Sequence, residues 1–309
     1  RTRADRVKAA VLTEVDGPFE LQEVHDPEPQ DGEALVRVRA AGINFLDILI
    51  RHGRYPQMPE LPAVLGVELA GELEDGTRVM ALVPSGGYAE LAAVPRASLV
   101  PLPDTATFAE GASFLLTFLT AYVPLTRQVR FEEERTVLVH AAAGGVGTAA
   151  IQVARALNAR VVAAVGSPEK LELCRELGAE EAYVYNELPD DLRVDVVVDP
   201  VGGELFEAAV GRLRPLGQLV AIGYAGGMWP ELQPAQLVGR NVGVQGVYIG
   251  RLLRHAPDVI AAATRELLEL WSGRRIHPVV GAELPLAEVE DAHALVESRR
   301  SVGKIVLVP

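Results

Sequence analysis

The stretch Thr136–Leu157, TVLVHAAAGGVGTAAIQVARAL, decides the fold. It opens on a short apolar run, Val137-Leu138-Val139, rich in β-branched residues and of a length that suits a buried strand. Ala142-Ala143-Gly144-Gly145-Val146-Gly147 follows, built almost entirely of small residues. Beyond it Val146, Ala150, Ile151, Val153, Ala154 and Leu157 recur at the spacing of one apolar helical face. Strand, small-residue turn and helix start, in that order, is the setting a dinucleotide fingerprint requires. A pyrophosphate bound there lies against the first backbone N–H groups of the helix, where unpaired donors and the positive end of the dipole point outward. Any side chain at the turn would hold the phosphates off. The pattern G-x-G-x-x-G/A maps onto Ala142-x-Gly144-x-x-Gly147, with alanine in the first slot. Gly144 is expected to admit the pyrophosphate, and Gly147 to let helix and strand pack closely. The predicted cofactor-binding residues of this turn are Ala143, Gly144, Gly145, Val146 and Gly147.

Downstream, strand and helix patterns alternate. Strands are predicted at Val137–His140, Arg160–Val165, Ala182–Tyr185, Val194–Asp199, Gln218–Ile222 and Val242–Val247. Helices are predicted at Gly147–Leu157, Glu169–Leu177 and Glu204–Leu213, and Asn186–Arg193 is too short for one. That alternation predicts an α/β fold with a Rossmann doubly wound parallel sheet. Upstream, from residue 8 to about 115, short strands at Val11–Leu12, Phe19–Val24, Ala34–Ala40 and Arg78–Val83 are broken by prolines, which predicts a small, mostly β domain. Ala106–Leu125 reads as a linking helix. The tail holds helix patterns at Val259–Trp271 and Ala287–Glu297 and a strand at Lys304–Val308. Residues before Lys8 read as an appended tail.

With 309 residues the chain has room for two domains, each with its own core. The net charge of -13 argues against nucleic acid or an anionic membrane as a main partner. The single cysteine, Cys174, excludes an intramolecular disulfide and a multi-cysteine zinc site. It falls in a helical pattern and is expected to be a packing residue. No secretion signal or spanning segment is visible, so a cytoplasmic protein is expected. The six histidines show no paired helical spacing; His140 ends the fingerprint strand, a place from which it would line a cofactor cleft.

The fuller motif Ala142-Ala143-Gly144-Gly145-x-Gly147-x4-Gln152-x2-Arg155 resembles that of the quinone oxidoreductase and zeta-crystallin family, within the medium-chain dehydrogenase/reductase superfamily. Glu134 and Arg135, just before the strand, depart from the family pattern. Gly42-Ile43-Asn44-Phe45-Leu46-Asp47, then Arg51 and Gly53-Arg54-Tyr55-Pro56, resembles the family's G-x-N-x-x-D and G-x-Y-P segments, and Gly86-Gly87-Tyr88-Ala89-Glu90 resembles another. The resemblance covers nearly the whole chain. It implies a GroES-like catalytic domain over 1–117 and 255–309 and the dinucleotide-binding domain over 118–254. It also implies a nicotinamide in the cleft between the two. In the zinc alcohol dehydrogenase relatives the positions of Asn44, Val67 and a residue near Leu116 are zinc ligands; asparagine, valine and leucine cannot assemble such a site, so no metal is expected. Thr120, in the Thr120-Ala121-Tyr122 step shared with the relatives, would touch the carboxamide, or simply cap a helix step. Gly223, just past the fifth strand, joins the expected cofactor contacts.

A ribose 2′-hydroxyl is normally gripped by an acid at the tip of the second strand. Here that strand runs out as Val165-Gly166-Ser167-Pro168-Glu169-Lys170, with no acid at its tip. Glu169 falls in the first turn of the next helix, where acids complement the dipole. Ser167 and Lys170, with Tyr185 at the end of the third strand, supply the hydroxyls and cation that a 2′-phosphate wants, and all three positions match the family's phosphate pocket. The expected cofactor is NADPH.

The resemblance implies hydride transfer from NADPH to an acceptor already reactive, and a quinone fits, since it aromatises on reduction; the protein's task is then mainly positioning. Asn44 is the candidate for orienting ring and substrate, also counted among the cofactor contacts, and Tyr55 the candidate proton donor. Enoyl-thioester reduction suits Asn44, Asp47 and Tyr55 equally well and stays open. A non-enzymatic, crystallin-like or RNA-binding role is a third reading, weakened by the acidic balance. Val242–Val247 would leave an apolar sheet edge, which in the family pairs with a two-fold mate, so a homodimer is expected.

Overall fold

A computed structural model of the chain describes residues 6–130, 134–229 and 231–309. The expected tail falls largely on residues 1–5, outside the described residues. The chain divides into two compact units, Arg1–Leu116 with Pro278–Pro309, and Thr117–His277.

The first unit opens with β1 (Arg6–Leu12), β2 (Phe19–His25), β3 (Glu33–Ile43), α1 (Phe45–Arg51), β4 (Ala63–Val64), β5 (Glu68–Glu72), β6 (Arg78–Leu82), β7 (Leu91–Pro95), β8 (Leu99–Pro101) and the short α2 (Phe108–Gly111). The strands alternate buried and exposed residues, as in β3, because one face packs and the other is wet. β1 pairs antiparallel with β2 and β4, while β3 pairs with β5 and β7, and β5 with β6. Thr107 caps α2, accepting the Glu110 N–H while the Glu110 carboxylate takes the Thr107 N–H, a capping box.

α3 (Leu115–Val123) leads into the second unit. The sequence predicts one helix over 106–125; the structure breaks it between α2 and α3. Past Val123 it widens, because Pro124 has no N–H to give to the preceding turn and its carbonyl accepts from Val129 N at 2.9 Å. The segment Phe108–Gln128 is long and apolar enough to cross a bilayer, but 83% of its most apolar window is buried within the fold, as in a core helix.

There follow β9 (Thr136–Val139), α4 (Gly145–Ala156), β10 (Arg160–Val165), α5 (Leu171–Glu176), β11 (Glu181–Val184), β12 (Val194–Asp199), α6 (Gly203–Arg212), β13 (Leu213–Ala221), α7 (Pro234–Arg240), β14 (Gly243–Gly246), α8 (Ile249–His255) and α9 (Pro257–Ser272). The sheet order is β11-β10-β9-β12-β13-β14 and every pairing is parallel, the doubly wound order expected. Val137–Val139 lies between Val161–Ala163 and Val196–Val198, which is why these strands read as unbroken apolar runs. α4 is buried from Gly147 to Ala154 all round, not on one face. The motif residue Gln152 is satisfied there by the His277 backbone, donating to its carbonyl at 2.9 Å and accepting its N–H at 2.8 Å. The second unit runs on to His277, beyond the division at 254 read from the sequence. α9 packs Ile260, Ala263 and Leu267 inward, and its Glu266 accepts from Tyr122 and Arg127.

The chain ends with β15 (Val280–Pro285), α10 (Val289–Glu297) and β16 (Lys304–Val308), all in the first unit, where β16 pairs with β3 and β15.

Candidate active site

In the second unit the glycine turn sits at the carboxyl end of β9. His140, just past the strand, is 2% exposed, and its Nδ1 donates to Asp199 Oδ1 at 3.1 Å. Asp199 also accepts from Val201 N and Gly202 N. His140 therefore pins the ends of β9 and β12 together, at the point where the strand order reverses and open sheets bind ligands. It is a buried brace between the two strand ends.

Gly144 caps α4 in an ordinary extended conformation, with no side chain on the helix's first N–H groups. Ala142 and Ala143 are buried and Gly144, Gly145 and Val146 half-buried, so the accessible cradle is Gly144–Val146. The two fingerprint glycines have different reasons. A Cβ on Gly147 would lie 2.2 Å from Ala141 O and 2.6 Å from Ala142 Cα, whereas one on Gly144 would meet only Ala141 O, at 3.3 Å. Gly147 serves packing; the space at Gly144 is left for something else.

At the end of β10, Ser167 Oγ donates to Glu169 Oε1 at 2.5 Å, and this bond holds the Glu169 carboxyl below its usual range. Glu169 is thus a partner of Ser167, not just an acid complementing a helix dipole. Burial lowers the Lys170 ammonium from its ordinary value. Tyr185 follows β11; its hydroxyl accepts the Ala141 N–H at 2.9 Å and its ring stands edge-on to His140. The structure therefore ties Tyr185 to the glycine turn itself. Thr120 is buried in α3, and Gly223 follows β13 beside Pro200 O.

In the first unit Asn44 caps α1, and its backbone N–H donates to Asp47 Oδ2 at 2.8 Å. Its side chain lies in a buried charged cluster. Lys304 Nζ, on β16, donates to Asn44 Oδ1 at 2.6 Å, Ile43 O at 2.8 Å and Glu68 Oε2 at 3.0 Å. Asn44 Nδ2 donates to Gly42 O and to Glu68 Oε2, each at 3.2 Å, and Glu68 Oε1 accepts Leu116 N at 2.9 Å. Sequence reasoning missed Lys304. The available signal was scarcity, since lysine supplies three of the chain's 29 basic residues, at 8, 170 and 304.

Beside the cluster, burial raises Asp47 to about 7, and its Oδ1 has no hydrogen-bond partner. Tyr88, fully buried, faces Asp47, and its hydroxyl lies 3.3 Å from His293 Nε2. Burial lowers His293 to about 3. Tyr55 lies in the loop after α1, half-buried against the apolar core of this unit. No group of three or more His, Cys, Asp or Glu side chains gathers as a metal site among the described residues.

Two family models match the chain: an alcohol dehydrogenase GroES-like domain over residues 30–104 and a zinc-binding dehydrogenase over 145–269. The quinone oxidoreductase of Pseudomonas aeruginosa is 35% identical, covering 94% of this chain and 95% of its own length. Quinone oxidoreductase-like protein 2 of Bos taurus is 33% identical over 97% of this chain and 92% of its own. Among solved structures, the quinone oxidoreductase of Thermus thermophilus, described together with its complex with NADPH, superposes with a TM-score of 0.91 at 42% identity, over 98% of this chain and all of that one.

Proposed function

We infer the activity from kinship: the chain belongs to the quinone oxidoreductase family of the medium-chain dehydrogenases/reductases, and it is an NADPH-dependent quinone oxidoreductase. The observation that carries this reading to the residues is the N-terminus of α4 at Gly144, which no side chain covers, set at the end of a central parallel strand. The residues fit the cofactor. A Cβ is sterically tolerable at Gly144, so its absence leaves main chain bare for a pyrophosphate. When bound, NADPH supplies a hydride. Ser167, Lys170 and Tyr185 receive the 2′-phosphate, for which the Ser167 hydroxyl must leave Glu169. Charge-assisted hydrogen bonds contribute about 1.5–3 kcal/mol each, so two of them favour NADPH over NADH by roughly 10²-fold or more.

Asn44 orients the acceptor and the nicotinamide through its carboxamide, Thr120 and Gly223 contribute further cofactor contacts, and Tyr55 gives up the proton that completes reduction. The quinone accepts hydride at an activated carbonyl system, so no Lewis acid is asked of the protein. The compartment is the cytoplasm, where NADPH is supplied. The protein works as a homodimer joined through β14. Support for the dimer comes from the open edge of β14, which pairs with β13 on one side, and from strongly exposed Leu216 and Val238 nearby. Light scattering at micromolar concentration is expected to give twice the chain mass, and a monomer mass overturns the dimer.

The activity is tested by calorimetric titration with NADPH and NADH, followed by NADPH oxidation with a quinone series and, in parallel, a short enoyl-CoA. Tighter uptake of NADPH and turnover of quinones is the expected result. Tighter uptake of NADH, or turnover of the enoyl thioester alone, would replace this reading.

A further inference from the structure

In a chain that uses arginine for 26 of its 29 basic residues, one of the three lysines is buried, Lys304, at 4% exposure. The backbone is shaped to put it there. Gly303 turns the chain at φ +59, where a Cβ would come within 2.4 Å of Val279 O, and Lys304 N donates to that same carbonyl at 2.8 Å. Gly42 faces it from β3; a Cβ on Gly42 would lie 2.0 Å from Ala112 O and 3.1 Å from the ammonium. The ammonium has three protons and three acceptors within 3.0 Å, a carbonyl, a carboxamide oxygen and a carboxylate. Such convergence suits a compact point charge and not the planar fork of arginine.

An ammonium has no acceptor, so the amide atom 2.6 Å from it must be the oxygen. That settles which way round the Asn44 carboxamide stands. Its other edge, the NH2, is held by two bonds of 3.2 Å, to Gly42 O and Glu68 Oε2, at the long end for N–H···O. One edge is fixed by charge, and the other is held loosely enough to be exchanged for another acceptor.

We propose that Lys304 is a positioning residue for hydride transfer: its ammonium fixes the orientation of the Asn44 carboxamide, so that the N–H edge is the one offered to the reacting groups. Glu68 is the counter-charge that keeps the ammonium in place. The proposal rests on the reading of Asn44 as a site residue in a quinone oxidoreductase.

Two variants test it, Lys304→Met and the double variant Lys304→Met/Glu68→Leu. The first leaves Glu68 buried without a partner charge and is expected to lower Tm. The second removes both charges and is expected to regain most of that Tm. With NADPH and 1,4-benzoquinone, kcat is expected to fall at least tenfold in both, with KM for NADPH within about twofold of the parent. A merely structural role predicts that activity returns with Tm; a double variant within twofold of the parent kcat overturns the proposal. A second readout does not depend on the reaction. The chain has four asparagines, at 44, 158, 186 and 241, so nitrogen-15 labelling of asparagine gives four side-chain NH2 pairs, assignable with Asn44→Ala. In Lys304→Met, which keeps the Glu68 carboxylate that Asn44 Nδ2 donates to, the Asn44 pair is expected to shift and to exchange faster with water. An unmoved pair overturns the proposal even if quinone turnover fails, and a moved pair upholds the clamp if turnover fails and the activity reading with it.

Discussion

At the scale of single residues, the two fingerprint glycines separate packing from binding. A Cβ on Gly147 would overlap the Ala141 and Ala142 backbone, which cannot rotate away as a side chain can. Gly147→Ala is therefore expected to lose about 1–3 kcal/mol of stability through overpacking. Gly144→Ala meets little, and as a poorer cap it is expected to lose no more than about 1 kcal/mol. In the proposed cradle its damage falls on the phosphate: NADPH affinity should fall tenfold or more while Tm stays within a few degrees. Denaturant melts and calorimetry on the two variants check this, and equal Tm losses would remove the distinction. The buried pair Asp47 and His293 makes a second residue-scale prediction. Asp47 is raised to about 7, so its folded form keeps a proton that the unfolded chain releases near 3.8; its contribution is full below about 3.8 and is lost as pH rises through 7. His293 is lowered to about 3, so it makes the fold lose stability as pH falls from about 6.5 towards 3. Between about 4 and 6.5 the two slopes oppose each other, each near 1.4 kcal/mol per pH unit. Asp47→Asn should leave a stability that rises with pH across that window, and His293→Phe one that falls. Parallel slopes in the two variants would show the pair does not titrate this way.

At the scale of elements, α1 is held at both ends. Asn44 and Asp47 fix its start; at its finish His52 bridges Asp16 Oδ1 and Glu297 Oε1, each at 2.5 Å. The two carboxylates raise His52 above 6.5, so the bridge is fully present below that pH and weakens as pH rises through the folded value. A cation at a helix C-terminus is favourable in its own right. Thermal melts from pH 6 upward should show the parent losing stability that His52→Gln never had, so the two curves converge at alkaline pH. What was legible in the sequence follows the same physics. β9, β10 and β12 were legible because strands buried on both faces are unbroken apolar runs. The bare connection over 186–193 was legible from length, and it holds no helix beyond the short turn Tyr185–Glu187 and a further turn closed by Leu192 N donating to Pro189 O. α7 and β15 were not, since α7 is short, carries Gly239 and buries no side chain, and β15 alternates half-exposed residues over six positions. The glycine turn was legible because close approach restricts residue type locally. The Lys304–Glu68–Asn44 cluster was not, because its members are far apart in sequence and only the pairing of β3 with β5 and β16 brings them together.

At the scale of the whole molecule, cofactor choice should be readable as stability. A ligand that binds the folded chain and not the unfolded one stabilises it by RT ln(1 + [L]/Kd), about 2.7 kcal/mol at a hundredfold excess over Kd. For a compact unit the size of Thr117–His277, each kcal/mol moves Tm by roughly 2–4 °C, so saturating NADPH should raise Tm by about 5–10 °C. NADH at the same concentration lacks the 2′-phosphate and with it the bonds proposed for Ser167 and Lys170, and should raise it by far less. Lys170→Met should shrink the NADPH shift towards that of NADH, because in the proposed pocket the ammonium, lowered by burial, pairs with the 2′-phosphate. Glu169 sharpens the test. Its carboxylate holds the Ser167 hydroxyl in the free protein and repels a phosphate, so Glu169→Gln should widen the gap between the two cofactors. If Glu169→Gln instead lowers the NADH shift and leaves NADPH untouched, the carboxylate is gripping a ribose hydroxyl, and the second-strand pocket reads the sugar, not the phosphate.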